Sequence, residues 1–245
     1  MLFMRDYNKE YQDASETSKY VHDFDVVMRQ FMIRAFEPFL RAGAALEIGC
    51  YKGDFTRLLL PLFEDLSVIE ASSELAKFTQ NIMPEHVHFF VCTIENFNDN
   101  KKFDTIFLMH TLEHLDDPVG VLGKIKNMLT PNGRLILAVP NANAPSRQIA
   151  VKMGLISHNF AVTADERVHG HRKTYSLDTL EAEAKNAGFN IFHRGGVCFK
   201  PLANFQMDRA LEHKIINHDF LEGCYALGMQ YPELCASVFV VCQAP

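Results

Sequence analysis

No run of about 18 apolar residues occurs in the chain, so nothing in it is expected to span a membrane. Long basic runs are missing too. With a net charge of −6, duplex nucleic acid is not an expected partner. The six cysteines, at 50, 92, 198, 224, 235 and 242, form no C-x-x-C pair. Several sit in apolar strand-like runs, which predicts buried free thiols in a reducing cytoplasm. Residues 1–10 turn polar from Arg5 on and lack the apolar stretch expected of a secretory signal. Internal repeats and low-complexity segments are absent. So are the two common phosphate-binding signatures, G-x-G-x-x-G and G-x-x-x-x-G-K-[ST], and without them NAD and ATP fit poorly.

What the chain does have is a strong alternation of strand and helix patterns. Apolar residues make up 48% of its 245 positions, enough for a large core in one domain with added segments. Strand-like runs fall at 44–49, 66–70, 87–92, 103–109 and 134–139, with helical spacing near 54–63, 73–82 and 117–129. A further helical pattern covers 15–41, where Tyr20, Phe24, Val27, Met28, Phe31, Met32, Ala35 and Phe36 recur. Pro131-Asn132-Gly133 reads as a turn just before the fifth strand. This order predicts an α/β fold, a doubly wound, mostly parallel sheet. The expected division is one domain over 1–245: an N-terminal helical lid (1–41), a cofactor-binding core (42–140), a substrate-facing insertion after strand five (141–175) and the C-terminal part of the sheet (176–245). Ser176 reads as a helix N-cap and Gly188 as the glycine that closes the same helix.

The most telling stretch is Ala44-Ala45-Leu46-Glu47-Ile48-Gly49-Cys50-Tyr51-Lys52-Gly53-Asp54-Phe55, a strand, a glycine turn and a helix start. Glu70 ends the next strand-like run, in the window where an acid meets a ribose diol in nucleotide-binding sheets. Glu47 in the turn would repel a pyrophosphate but not a ligand with a cationic centre. S-adenosylmethionine has a ribose, a sulfonium and an ammonium group and no phosphate.

These motifs resemble the class I S-adenosylmethionine-dependent methyltransferases, in the small-molecule branch that includes ubiquinone-biosynthesis, sugar and natural-product enzymes. Leu46–Gly53 resembles the first motif and Val68-Ile69-Glu70-Ala71 the second. His110-Thr111-Leu112-Glu113-His114-Leu115-Asp116-Asp117-Pro118 is similar to the segment after strand four, and Leu129–Leu135 to the turn before strand five. The resemblance implies a seven-stranded Rossmann-like sheet with an antiparallel last strand at 237–242. It also implies S-adenosyl-L-methionine as cofactor, held by Glu47, Gly49, Cys50, Tyr51, Gly53, Glu70, Ala71, Thr93, Ile94, Glu95 and His110. Two positions depart from the pattern: Tyr51 stands where the family has a glycine, and Thr93 where it has the acid that meets the adenine amine.

For the chemistry, histidines are the candidate bases: His110 at the end of strand four, His114 four residues on, and His171 in the insertion. Tyr11, Arg167, His169, Arg172 and Tyr175 are the expected acceptor contacts, the arginines suiting a phosphate or carboxylate. His169-x-His171 on a loop is too weak a spacing to assign a metal, and none is expected. The expected reaction is methyl transfer to an oxygen or nitrogen of a small-molecule acceptor, such as a sugar nucleotide, glycan precursor or secondary metabolite. A non-catalytic cofactor-binding module and an NAD-dependent oxidoreductase are the alternatives. A homodimer could form through the apolar segment 197–240.

Overall fold

The structure, a computed structural model, describes residues 5–16 and 23–245. Its strands are β1 (Ala44–Ile48), β2 (Asp65–Glu70), β3 (His88–Val91), β4 (Phe103–Met109), β5 (Leu129–Pro140), β6 (Asn190–Val197) and β7 (Ser237–Gln243). The helices are α1 (Tyr7–Glu16), α2 (Asp23–Phe36), α3 (Asp54–Leu59), α4 (Ser73–Ile82), α5 (Pro118–Lys126), α6 (Pro145–Lys152), α7 (Ala164–Val168), α8 (Leu177–Asn186), α9 (Asn204–Glu212) and α10 (His218–Gln230). The strands form one seven-stranded sheet in the order β3-β2-β1-β4-β5-β7-β6, with β7 antiparallel to both neighbours. The expected sheet, with its antiparallel last strand, is present.

The core explains why the strands read as continuous apolar runs. Ala45, Phe107, Ile136 and Phe239 face one side of the sheet, where α2, α3, α9 and α10 pack. Their chain neighbours Leu46, Leu108, Leu137 and Val240 face the other, against α5 and α8. All eight are essentially inaccessible. Side chains alternate along a strand, so a sheet covered on both faces needs apolar residues at every position. Helix α2 buries Phe24, Met28, Phe31, Met32 and Ala35, a single stripe at helical spacing. The cysteines are all free, and all but the partly exposed Cys92 are buried. No helix among the described residues is long and apolar enough to cross a membrane.

Several boundaries differ from the sequence reading. The pattern over 15–41 is not one helix: α1 ends at Glu16, α2 begins at Asp23, and Pro38 turns the chain into a short 3-10 segment at Glu37–Phe39. Residues 17–22, with Tyr20, lie outside the described residues. The first sheet helix stops at Leu59, two residues before Pro61, rather than at 63. Pro131-Asn132-Gly133 does not precede β5 but sits inside it, as a register shift between the Phe103–Leu129 and Thr105–Arg134 pairs. Gly188 adopts φ 82° after α8, as expected of a helix-closing glycine.

Ser176 caps α8: its side chain accepts from Thr179 N, and Thr179 Oγ1 accepts from Ser176 N at 2.8 Å. Ser176→Ala should cost about 1 kcal/mol. In a chain of this size that lowers the melting temperature by about 2–4 °C, measurable by thermal denaturation.

Glu47 on β1 is 1% exposed, and Thr56 Oγ1 of α3 donates to its carboxyl at 2.6 Å. Burial pushes its pKa from 4.5 up to about 8, against the pull of the Thr56 hydrogen bond, and the nearby Glu70 adds to the rise. The folded state therefore holds this proton more tightly than the unfolded chain does. The associated stability is fully present below the ordinary carboxylate range and is lost as pH rises towards 8. Melting temperature recorded from acid to mildly alkaline pH should fall less steeply for Glu47→Gln than for the native chain; parallel curves would contradict the assignment.

Candidate functional site

A cavity of about 350 Å³ opens at the carboxyl ends of β1, β2 and β4. The chain winds to opposite sides of β1 and β4, and doubly wound sheets place their ligand crevice at that switch point. Its floor is the turn after β1 (Gly49, Cys50, Tyr51), the end of β2 (Glu70, Ala71, Ser72) and the segment after β3 (Thr93, Ile94, Glu95). The far wall is the turn after β4, with His110, Thr111, Glu113 and His114. Arg29 of α2, Arg5, Tyr7 and Glu10 at the start of the described chain, and His169 and His171 also line it, beside apolar residues such as Met28, Met32 and Leu75.

The turn after β1 depends on backbone that side chains rarely allow. Gly49 has φ 81°, its N–H donates to Ile69 O at 2.8 Å, and a Cβ there would lie 2.6 Å from Thr111 Oγ1. Tyr51 adopts φ 50°, the left-handed conformation a glycine would take, and its carbonyl accepts from Thr79 Oγ1 at 2.9 Å. Tyr51 thus keeps a positive φ at the position where the resemblance puts a glycine. Gly53, expected beside the cofactor, is not on the cavity wall. At φ 80° it leads the chain into α3, and a Cβ would meet Thr79 and Met83 at 2.6 Å.

Glu70 is held from three sides. Its Oε2 accepts from Cys50 N at 3.0 Å and Tyr51 N at 3.2 Å, and Oε1 accepts from Ser72 N at 2.9 Å. Burial raises its pKa, and the three amides oppose the rise by favouring the anion. A carboxylate offers about four lone-pair sites, so Oε1 retains capacity for a ligand hydroxyl. An acid locked in this position fits a nucleoside's ribose. Glu47 differs from its sequence reading. It lies within β1, not in the turn, and its raised pKa leaves it mostly protonated at neutral pH, so it braces α3 instead of presenting a charge. Thr93 Oγ1 already accepts from Asn96 N at 3.3 Å, and Ile94 is buried beside it.

The histidines converge. His110 carries φ 48°, and its Nε2 lies 3.0 Å from Ser237 Oγ at the start of β7. Its ring is open to the cavity yet ringed by protein, and that enclosure, then Arg29 and His171, pushes its pKa down to about 3. His114 and His171 meet edge to face, ring centroids 4.6 Å apart, and burial holds them neutral at about 3 and 4. Beside them lies Glu113, 1% exposed, whose burial raises its pKa to about 8. Neither of its carboxyl oxygens has a hydrogen-bond partner among the described residues. Arg5 covers this turn: its guanidinium donates to His114 O at 2.6 Å and binds both Glu10 oxygens at 2.6 and 2.7 Å.

Other expected contacts are elsewhere. Tyr175 is fully buried in the core with Leu177 and Leu180, not on the cavity wall; its backbone bridges Asn141 and commits the ring inward. Arg167 is exposed, donates to Val162 O and does not line the cavity. Arg172 is also off the wall, its side chain taken by Asp116 at 3.1 Å and Glu10 at 3.8 Å. The side chain of Tyr11 lies outside the described residues. Sequence reasoning missed Arg29, Arg5, Thr111 and Ser237. Arg29 sits on the polar side of α2, 3.7 Å from Asp54, and nothing in the spacing sets it apart from other surface arginines.

Residues 20–194 match a methyltransferase domain family. The chain is 25% identical over 198 residues to a ubiquinone biosynthesis O-methyltransferase of Xanthomonas axonopodis pv. citri, covering 78% of this chain and 80% of that one. Nodulation protein S of Bradyrhizobium diazoefficiens is 34% identical over 100 residues, covering 39% and 48% of the two chains. The crystal structure of the N-methyltransferase NodS of Bradyrhizobium japonicum WM9 with S-adenosyl-L-homocysteine superposes with a TM-score of 0.60 at 14% identity, over 97% and 99% of the two chains. The family match spans well over half of the sequence, and the protein therefore belongs to that family and is an S-adenosylmethionine-dependent methyltransferase.

Proposed function

We propose that the chain methylates an oxygen or nitrogen of a small-molecule acceptor, with a sugar nucleotide, glycan precursor or secondary metabolite as the fitting classes. The observation that carries this reading is His110, whose imidazole is open to the cavity at the end of β4 and has its Nε2 3.0 Å from Ser237 Oγ. A walled cavity of about 350 Å³ suits a cofactor and a compact acceptor better than a polymer. One relative is named for O-methylation and one fold neighbour for N-methylation, which supports both atoms as candidates.

When bound, S-adenosylmethionine supplies an electrophilic methyl group on a sulfonium. Glu70 would accept from the ribose hydroxyls, while three amides keep its carboxylate from turning. Arg29, a cation on the wall whose guanidinium is 3.7 Å from Asp54, would hold the carboxylate of the cofactor's amino-acid end. With Nε2 engaged by Ser237, Nδ1 of His110 receives the acceptor's proton. Alignment does much of the remaining work and contributes about 7–11 kcal/mol in well-oriented reactions.

Isothermal titration calorimetry should show saturable S-adenosylmethionine binding. Glu70→Ala should weaken it about ten- to a hundredfold, the worth of a charge-assisted hydrogen bond. Complete absence of binding to the native chain would sink the reading. Release of S-adenosylhomocysteine across a panel of phenol, sugar-nucleotide and amine acceptors should identify turnover, and His110→Ala should lower kcat by about 10²–10⁴-fold. Cofactor binding without turnover on any acceptor would instead favour a non-catalytic module.

A further inference from the structure

Glu113 is the least explained group in the molecule. A carboxyl 1% exposed, with neither oxygen hydrogen-bonded among the described residues, is costly to bury without a partner. The two residues nearest to supplying one are His114, next in the chain, and His171, which arrives from the segment between β5 and α8. One ligand atom from each of the three lies within 4.8 Å of the other two, a grouping found among the described residues. The rings of His114 and His171 stand at 74° to each other, so both can direct a nitrogen towards a shared point without overlapping.

We propose that Glu113, His114 and His171 hold a divalent first-row transition-metal ion, Zn²⁺ or Mn²⁺ in type, at the acceptor end of the cavity. Two imidazoles and a carboxylate are the donor set such ions take, and three protein ligands leave positions open to a substrate. Ligand atoms about 2.0–2.2 Å from a tetrahedral ion lie about 3.3–3.6 Å from one another, so a spread of up to 4.8 Å closes by up to about 1.5 Å when the side chains turn onto the ion. All three residues line the cavity, which turns the open positions towards the acceptor. Backbone geometry holds the two segments in place: Arg172 N donates to Glu113 O at 2.7 Å and His114 N donates to Thr111 O at 3.0 Å. The neighbouring cations Arg5 and Arg172 are paired with Glu10 and Asp116, which lessens their opposition to an ion here. His169, the other half of the His-x-His pair, is not in the group. An ion so placed would tie the 141–175 segment to the turn after β4. It would also act as a Lewis acid on an acceptor oxygen, lowering the pKa of that hydroxyl. The site stands on this cluster and not on which acceptor is methylated.

The full chain, stripped with a chelator and free of cofactor, is titrated with Zn²⁺, Mn²⁺ and Co²⁺ alone. Binding of about one ion per chain is expected, with a rise in melting temperature. The Co²⁺ form should show ligand-field absorption in the visible range. Glu113→Gln and His171→Ala should each weaken binding by more than the about ten- to hundredfold that loss of an outer-shell partner costs, and abolish the Co²⁺ spectrum. His169→Ala should retain both. His171→Ala alters a residue outside the sheet, so it keeps the test open if Glu113→Gln fails to fold. No stoichiometric ion, or equal binding in native and His171→Ala protein, overturns the proposal. So does stabilisation by an amine acceptor with no metal binding, which would make Glu113 the partner of a substrate ammonium. Because no S-adenosylmethionine is present, failure here is separate from failure of the cofactor calorimetry.

Discussion

Three backbone amides converge on the Glu70 carboxylate, and the cavity takes its shape from that convergence. Cys50 and Tyr51 belong to the turn after β1 and Ser72 to the start of α4, so one side chain joins two adjacent strand ends. The interaction fixes the turn in a path that needs positive φ at Gly49 and Tyr51. A left-handed residue other than glycine costs about 1–2 kcal/mol. Charge-assisted hydrogen bonds to a buried carboxylate are strong enough to hold it there. The same carboxylate retains a lone pair towards the cavity, so the group that shapes the site also faces its ligand.

Enclosure sets the electrostatics of the opposite wall. His110, His114 and His171 are all held neutral by the protein around them, while Glu113 and Glu47 are pushed towards their protonated forms. Every one of these shifts has desolvation as its leading cause. A site that suppresses both signs of charge places few fixed charges around a sulfonium, and His110 is the most exposed of its three imidazoles, open to the cavity where an acceptor would meet it. The arginines at its edge are matched by acids, Arg5 by Glu10 and Arg172 by Asp116 and Glu10, so their charge holds segments together.

Much of this was legible in the sequence where local rules act. The strand and helix spans follow from apolar runs and helical spacing, Ser176 and Gly188 from capping chemistry, and Glu70 from its distance to the glycine turn. Errors gathered where contacts between distant segments decide. Tyr175 looked like an acceptor contact because it follows a polar, histidine-rich segment, but its bridge to Asn141 turns it into the core. Arg172 looked free to bind an anion until the fold brought Asp116 and Glu10 beside it. Glu47 reads as a charge in a turn, and only its burial against Thr56 removes that charge.

The sequence by itself determined the alternation of strands and helices, the glycine turn, the acid at the end of β2 and thereby the class of cofactor. These depend on patterns a few residues to about twenty residues long. The tertiary structure alone decided which side chains share the acceptor end: Ser237 against His110, and Glu113 and His114 beside His171. Those groups come from segments about 60 to 130 positions apart in the chain, brought together by the winding of the sheet. Spacing along the sequence carries no record of such meetings, and so the chemistry at that end could be read only once the chain was folded.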